Sequence, residues 1–180
     1  MFNFLNSAKA LKNTRVLCSS AILAALFIVL YSIKLQLAPE LRITFTFIPL
    51  AVAGWLFGPF PAMLVGLIGD VVGCMLFPAG AYFPGFTLTQ ILGGLIFGIL
   101  LYKKDPKKLF LPVLLSKTAI NLFLNVALNS LWLSILYGKA WMVYALSHIV
   151  KNAIALPIEV ILLIFIIKIL SVRGIEKMYK

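Results

Sequence analysis

Six long apolar runs, separated by short polar or proline-rich links, constrain this chain more than any other feature of its sequence. The runs cover about residues 16–33, 43–57, 60–77, 85–102, 109–136 and 141–168. A helix that crosses the apolar core of a bilayer needs about 20 such residues, and it hydrogen-bonds its own backbone. Since 63% of the residues are hydrophobic, against about half in a soluble protein, we predict an all-α integral membrane protein. Residues 1–180 would then form a single membrane domain with six transmembrane helices.

The basic residues predict how such a domain lies in the membrane. If the N-terminus is cytoplasmic, eleven Lys and Arg residues fall on the inner side and three on the outer side. The inner ones are Lys9, Lys12, Arg15, Lys103, Lys104, Lys107, Lys108, Lys168, Arg173, Lys177 and Lys180, and the outer ones are Lys34, Arg42 and Lys139. This asymmetry follows the positive-inside rule, so we expect cytoplasmic N- and C-termini. The net charge of +11 is then explained by basic residues at the surface of the lipid bilayer. We therefore expect the bilayer, and not nucleic acid, as a partner.

Residue types that carry out catalysis or bind metals are scarce. The chain has one histidine, His148, and two cysteines without a CxxC spacing, Cys18 and Cys74, which does not favour a metal site. It lacks the GxxxxGK[ST] phosphate-binding loop, so we expect no internal ATPase. A membrane enzyme would need a nucleophile–base pair or a metal cluster. We therefore predict neither enzyme activity nor a cofactor.

A polar stripe runs along the fifth apolar segment. Lys117, Asn121, Asn125 and Asn129 recur every four residues, and Trp132 follows them. In an α-helix each step of four advances about 40° around the axis, so all five side chains fall within an arc of roughly 120°. A polar stripe in a membrane helix costs free energy unless it faces a partner, a cavity or a ligand.

The depth of each side chain divides the charges of the last two helices into two groups. Lys117 and Glu159 lie at matching inner depths on consecutive antiparallel helices, which favours a structural ion pair. Lys151 and His148 lie in the outer half, without an obvious acidic partner. Together with the outer asparagines of the stripe they predict a basic, amide-rich patch that opens outward.

Other polar residues of the outer half would complete a cavity. Asp70 lies in the third run, Thr87 and Gln90 begin the fourth, and Arg42 leads into the second. Such a lining suits a ligand with an anionic end, which Lys or Arg binds, and a flat heteroaromatic end, which aromatic rings stack on. Each residue also has a structural alternative. Asp70 can bond a neighbouring helix, Thr87 can be an N-cap, and the asparagines can link helices.

Two further segments have a functional and a structural interpretation. The outer loop at residues 77–85 carries Tyr82 and Phe83, and it is either a lid or part of the aromatic belt at the membrane interface. Ala21, Ala24 and Ala25 in the first run form a small-residue surface. Such a surface permits close approach of another helix, either within the chain or from a partner.

Four segments together carry a resemblance to a known family. They are LRITFTFIPLAVAGWLFGPFPAMLVGLIGDVVG (41–73), PAGAYFPGFTLTQILGGLIFG (78–98), LNVALNSLWLSILYGKAW (124–141) and IVKNAIALPIEVIL (149–162). With them the chain resembles the substrate-binding S components of energy-coupling factor (ECF) vitamin transporters, most closely the folate-specific branch. The resemblance implies a high-affinity folate-binding subunit in a prokaryotic plasma membrane.

The resemblance also implies partners and roles for individual residues. A transmembrane coupling protein and two ATPase subunits would drive transport, and Ala21, Ala24 and Ala25 would dock on them. The loops that hold Arg42 and Tyr82 would gate the ligand site. The site itself would comprise Arg42, Asp70, Tyr82, Phe83, Thr87, Gln90, Asn125, Asn129, Trp132, His148 and Lys151. His148 stands where the folate branch often has Arg, which leaves Lys151 and Arg42 to attract an anion.

Two alternatives to a folate-binding subunit remain open. The polar lining also fits an S component for a different vitamin or precursor. A structural assembly protein without a ligand is the alternative from another class, and it predicts that protein atoms fully pack Asn125, Asn129 and Lys151.

Overall fold

Helices make up nearly all of the computed structural model, which describes residues 4–38, 41–78, 82–138 and 140–175. Within these ranges the side chains of residues 4–6, 34–38, 41–43 and 107 are not described. The helices are α1 (Phe4–Ala10), α2 (Thr14–Ser32), α3 (Phe47–Phe57), α4 (Pro59–Leu76), α5 (Pro84–Leu101), α6 (Phe110–Ala119), α7 (Ser130–Tyr137) and α8 (Trp141–Val172). A 3-10 turn at Pro106–Lys108 precedes α6, and the segment Ile120–Asn129, hereafter the π-segment, joins α6 to α7.

The apolar runs and the helices coincide closely. In the described part of the chain, five helical stretches are long and apolar enough to cross a membrane, with α6, the π-segment and α7 forming one of them. The helix α3 has 11 residues and rises only about 16 Å, roughly half the thickness of the apolar core. The all-α membrane fold is therefore confirmed, while the six-span count, the single domain and the cytoplasmic termini stay predictions.

One boundary was predicted wrongly. The second run was expected to form a helix from residue 43, with Lys34 and Arg42 on the outer side before it. Instead Lys34–Ala38 (β1) pairs antiparallel with Leu41–Thr44 (β2), and α3 begins only at Phe47. In the sequence LRITFTF (residues 41–47) apolar and polar residues alternate, and several of them are β-branched or aromatic, which favours a strand. Apolar content alone did not reveal this.

The π-segment changes how the polar stripe lies on its helix. Four residues exceed one turn of an α-helix, but they fall short of one turn where i→i+5 hydrogen bonds widen the helix. Each step of four residues therefore rotates the stripe one way around the axis in α6 and the opposite way over Asn121, Asn125 and Asn129. The three asparagines stay closer to one line than a regular α-helix would place them. A π-helix is rare and is often found at functional sites.

Glycines bring α4 and α5 into direct backbone contact. A Cβ atom on Gly98 would lie 2.2 Å from Pro59 Cα, and one on Gly94 would lie 2.6 Å from the carbonyl oxygen of Ala62. Gly66 meets the backbone of Gln90 in the same way, at 2.7 Å. This close approach fixes the relative positions of Asp70 on α4 and the polar residues of α5.

The helix α1, which was not predicted from the sequence, is hydrogen-bonded to the junction of α3 and α4. Gly58 turns the chain there with φ of +91° and offers no side chain to cap α4. Ser7 supplies the cap instead, since its Oγ accepts from the backbone N–H of Phe60 and donates to the carbonyl of Phe57, both over 3.2 Å. Ser7 is fully enclosed in this position.

Candidate functional site

Polar and aromatic side chains from both halves of the chain enclose a cavity of about 230 Å³. The predicted site residues that line it are Asp70, Tyr82, Phe83, Gln90, Asn125, Asn129, His148 and Lys151. Its volume is just below the roughly 300–1,000 Å³ of most ligand sites. Asn125, Asn129 and Lys151 line this cavity and are thus not fully packed by protein. This contradicts the alternative of a structural assembly protein without a ligand.

Three predicted site residues stand apart from this lining. Thr87 and Trp132 lie behind it and contact residues that form it. Arg42 lies in β2, and its side chain is outside the part of the structure that is described. Its proposed role as an anion-binding residue therefore stays a prediction.

The asparagines of the π-segment form a ladder of amides. Asn125 Nδ2 donates to Asn121 Oδ1 over 3.0 Å, and Asn129 Nδ2 donates to Asn125 Oδ1 over 3.1 Å. One expectation for these asparagines was hydrogen bonding between helices, whereas these two bonds run along one helix. The π-segment meets α8 where Asn152 Nδ2 donates to the backbone carbonyl of Asn121 over 3.5 Å. Among the described residues, Asn121 Nδ2 and Asn129 Oδ1 are buried without a partner.

A chain of hydrogen bonds connects Tyr82, in the loop before α5, to the interior. Thr87 Oγ1 donates to Asp70 Oδ2 over 2.7 Å, and the hydroxyl of Tyr82 lies 3.0 Å from the same Thr87 oxygen. Asp70 and Thr87 are buried, whereas Tyr82 is half exposed. The N-cap of α5 is Phe83, so the interpretation of Thr87 as an N-cap is wrong. Thr87 instead links α4 to the residue at the rim of the cavity.

Aromatic rings form one wall of the cavity. The ring of Phe83 lies 5.6 Å from that of Trp132 and 6.0 Å from that of Phe86, which it meets edge-on. A Cβ atom on Gly85 would lie 2.5 Å from the Phe83 ring and 2.6 Å from the Trp132 ring. Trp132 Nε1 donates to Thr89 Oγ1 over 3.3 Å. Trp132 therefore packs against Phe83, which lines the cavity together with Phe86.

An ion pair links α6 to α8. Lys117 Nζ lies 2.8 Å from Glu159 Oε2 and 4.2 Å from the centre of the Phe47 ring. The predicted ion pair is therefore present, and both of its members line the same cavity as Lys151.

Polar residues that the sequence analysis did not choose also line the cavity. They are Thr44, Thr46, Thr89 and Asn152. Asn152 could have been chosen because it lies four residues after His148, on the same helical face. Thr44 and Thr46 belong to the strand and turn before α3, where a membrane helix was expected, so no sequence signal placed them. His148 is buried, and neither of its ring nitrogens has a partner within the described part of the chain.

The small residues of α2 divide between two faces. Ala21 and Ala25 are exposed on the outer surface of the molecule, next to exposed Leu17 and Ile22. Ala24 is buried and packs in the core with Phe27. Ala21 and Ala25 are hence available to another helix, whereas Ala24 is not. Within the described residues no group of His, Cys, Asp and Glu could hold a metal ion.

A bundle of apolar helices around a mixed polar and aromatic cavity defines a membrane protein that encloses a small ligand. The model of one family, described as "ECF transporter, substrate-specific component", matches residues 15–167. The chain belongs to this family, which confirms the family predicted from the sequence. It is accordingly a multi-pass transporter subunit of the cell membrane and not an enzyme.

Individual relatives agree with this assignment. The chain is 41% identical over 153 residues to the folate transporter FolT of Clostridium novyi (strain NT), over 85% of this chain and 88% of the relative. It is 31% identical to the folate transporter FolT of Leuconostoc mesenteroides subsp. mesenteroides, over 82% of each chain. A crystal structure of FolT bound with folic acid superposes with a TM-score of 0.78 at 35% identity, covering 86% of this chain and 93% of the other.

Proposed function

We propose that this chain binds folate in the cavity between α4, α5, the π-segment and α8 and delivers it inward as the substrate-binding subunit of an ECF transporter. The main support is that a polar and aromatic cavity exists here in a chain whose fold matches 93% of a FolT that binds folic acid. An S component for a different vitamin is the second candidate. No feature of the lining favours it over folate.

The chemistry of the lining supports a role for each part of the ligand. Folate carries carboxylates at its glutamate end, and Lys151 supplies a cation at the cavity wall. The pterin ring at the other end has a donor and acceptor edge, which Gln90, Asn125 and Asn129 can match. Phe83 offers the ring on which a flat heterocycle stacks. Asp70, which is hydrogen-bonded to Tyr82 at the rim of the cavity through Thr87, is a fourth polar group available to the heterocycle.

Energy for transport would come from partner subunits. We propose that a transmembrane coupling protein and two ATPase subunits bind the chain, and that the coupling protein meets the exposed Ala21–Ala25 face of α2. Small side chains allow a partner helix to approach closely. The variant Ala25→Trp should therefore abolish copurification with the coupling module while folate binding is retained. Leu111→Trp, on the exposed face of α6, is the matched control and should leave copurification intact.

Direct binding to the purified protein tests the proposed ligand. Folate should bind, and Lys151→Ala should weaken folate binding about ten- to a hundredfold, as expected for loss of a charged hydrogen bond. Binding of pteroate, which lacks the glutamate, should change little in this variant. Lys108→Ala, which removes an exposed cation of the 3-10 turn, is the matched control. Failure of the wild-type protein to bind folate, together with binding of another vitamin, would move the proposal to the second candidate.

A further inference from the structure

A basic loop joins α5 to α6 at the end of the bundle that is predicted to be cytoplasmic. Lys103, Lys104 and Lys108 belong to this loop, and the side chains of all three are exposed. Among the described residues, no ion pair involves any of them. Asp105 is the one carboxylate in the sequence of the loop, so the loop carries a surplus of positive charge. The binding of folate in the cavity uses none of these lysines.

A buried tryptophan of α3 holds this loop in one conformation. Trp55 is 2% exposed, and its Nε1 donates to the backbone carbonyl of Lys104 over 3.1 Å. The backbone carbonyl of Trp55 accepts from the N–H of Lys103 over 3.2 Å. Lys103 has a φ of +53°, which is uncommon for a residue other than glycine and persists only where the surrounding contacts impose it. Two hydrogen bonds to a core residue therefore fix the backbone that presents Lys103 and Lys104.

Exposed apolar side chains directly follow the basic loop. Phe110 and Leu111 begin α6 just after Lys108, and they are 64% and 60% exposed. The helical stretch that they begin is long and apolar enough to cross a membrane. Its first residues therefore lie where lipid headgroups meet acyl chains, and basic clusters at this level attract anionic lipids. A soluble anion would bind the lysines alone, whereas a phospholipid uses the lysines and the two apolar side chains together.

We propose that the loop between α5 and α6 binds the headgroup of an anionic phospholipid. The ammonium groups of Lys103, Lys104 and Lys108 donate to the phosphate oxygens, and the acyl chains pack on Phe110 and Leu111. Each lysine near an anionic membrane surface raises the affinity about fivefold, so the three together raise it roughly a hundredfold. The site is separate from the cavity and does not depend on the ligand bound there.

The affinity of a fluorescent phosphatidylglycerol for the purified full-length protein in detergent tests this site. The wild type should bind it roughly a hundredfold more tightly than the matching phosphatidylcholine. The triple variant Lys103→Asn, Lys104→Gln and Lys108→Gln should lose nearly all of this preference. Asn is chosen for Lys103 because it tolerates a left-handed backbone. If the triple variant does not fold, Lys104→Gln with Lys108→Gln serves instead and should reduce the preference roughly 25-fold.

A second triple variant controls for the overall charge. Lys9→Gln, Lys12→Gln and Arg15→Gln remove the same number of charges from exposed positions in α1 and at the start of α2. This variant should keep the preference for phosphatidylglycerol. An equal loss in both triple variants would assign the attraction to the net charge of the protein and would overturn the site.

A third variant changes the shape of the loop and none of its charges. Trp55→Phe deletes the indole N–H that holds the carbonyl of Lys104, so the preference should fall about fivefold, the value of one hydrogen bond. Trp141→Phe is the matched control, because it also deletes an indole N–H, which donates to the carbonyl of Ala127 over 3.2 Å. It should leave the preference unchanged. An equal effect of the two substitutions would show that Trp55 does not position the loop.

Three further outcomes would overturn the lipid site. The first is a wild-type protein that binds the two phospholipids equally. The second is displacement of phosphatidylglycerol by inorganic phosphate alone, which would assign the lysines to a soluble anion. The third is a loop variant that keeps the lipid preference but no longer copurifies with the coupling module, which would assign the loop to a protein partner. Folate binding should be unchanged in the loop variant, so each of these outcomes leaves the proposed function standing.

Discussion

Removing Glu159 should destabilise the protein because it leaves the enclosed amine of Lys117 without its ionic partner. The side chain of Lys117 is 3% exposed and that of Glu159 16% exposed, and their charged atoms lie 2.8 Å apart. At an effective dielectric constant of about 20, such a pair attracts by about 6 kcal/mol, most of which offsets desolvation. Breaking a buried pair by removing one partner costs about 3–5 kcal/mol.

The lower end of this range applies to Glu159→Gln. Lys117 keeps its contact with the Phe47 ring, and a cation–π contact is worth about 0.5–2 kcal/mol. We therefore expect a loss of about 3 kcal/mol. For a chain of this size that corresponds to a fall in Tm of about 6–12 °C.

Thermal unfolding of purified variants in detergent measures this loss. The double variant Lys117→Met with Glu159→Leu should recover most of the Tm, since an apolar pair replaces buried charges at little cost. Lys168→Met, at an exposed position of the same helix, is the matched control and should leave the Tm unchanged. The reasoning fails if Glu159→Gln costs less than about 1 kcal/mol, or if the double variant is no more stable than the single ones. A stable double variant that has lost folate binding would instead assign the pair to the ligand site.

Three further predictions concern the packing and the rim of the cavity. Thr87→Val removes the hydroxyl between Asp70 and Tyr82, so the Tm should fall by an amount equivalent to about 1.5–3 kcal/mol. Amide hydrogen exchange at Tyr82 should become faster in this variant. An unchanged exchange rate would contradict the hydrogen-bonded link. Gly98→Ala forces the backbones of α4 and α5 apart and should cost about 3 kcal/mol, whereas Gly93→Ala, whose Cβ would meet only side-chain atoms at 3.3 and 3.8 Å, should cost less than about 1 kcal/mol. Equal Tm values for the two glycine variants would refute the close-contact argument. Ser7→Ala removes the cap of α4 and should lower the free energy of unfolding by about 1 kcal/mol. A Tm equal to that of the wild type would exclude this role of Ser7.

Particular residues show how far the sequence predicted the site. The stripe on the fifth segment indicated a cavity, and Asn125 and Asn129 line one. The choice of Asp70 and Gln90 from other helices also placed residues at this cavity. Thr87 and Trp132 were chosen as ligand contacts, but their side chains turn to Asp70, Thr89 and Phe83. A sequence position defines the face of a helix but not the rotamer that a side chain adopts.

The sequence by itself determined the class of fold, the bounds of the long helices and the family. These depend on local hydrophobicity and on motifs, which each segment carries independently of the others. The tertiary structure decided where the side chains of Thr87 and Trp132 turn, how the hairpin at Lys34–Ala38 and Leu41–Thr44 forms, and that Ser7 caps a distant helix. Such contacts depend on the distance and rotation between helices. In this protein, glycine contacts such as that of Gly98 with Pro59 set that distance, and only the assembled fold brings these residues together.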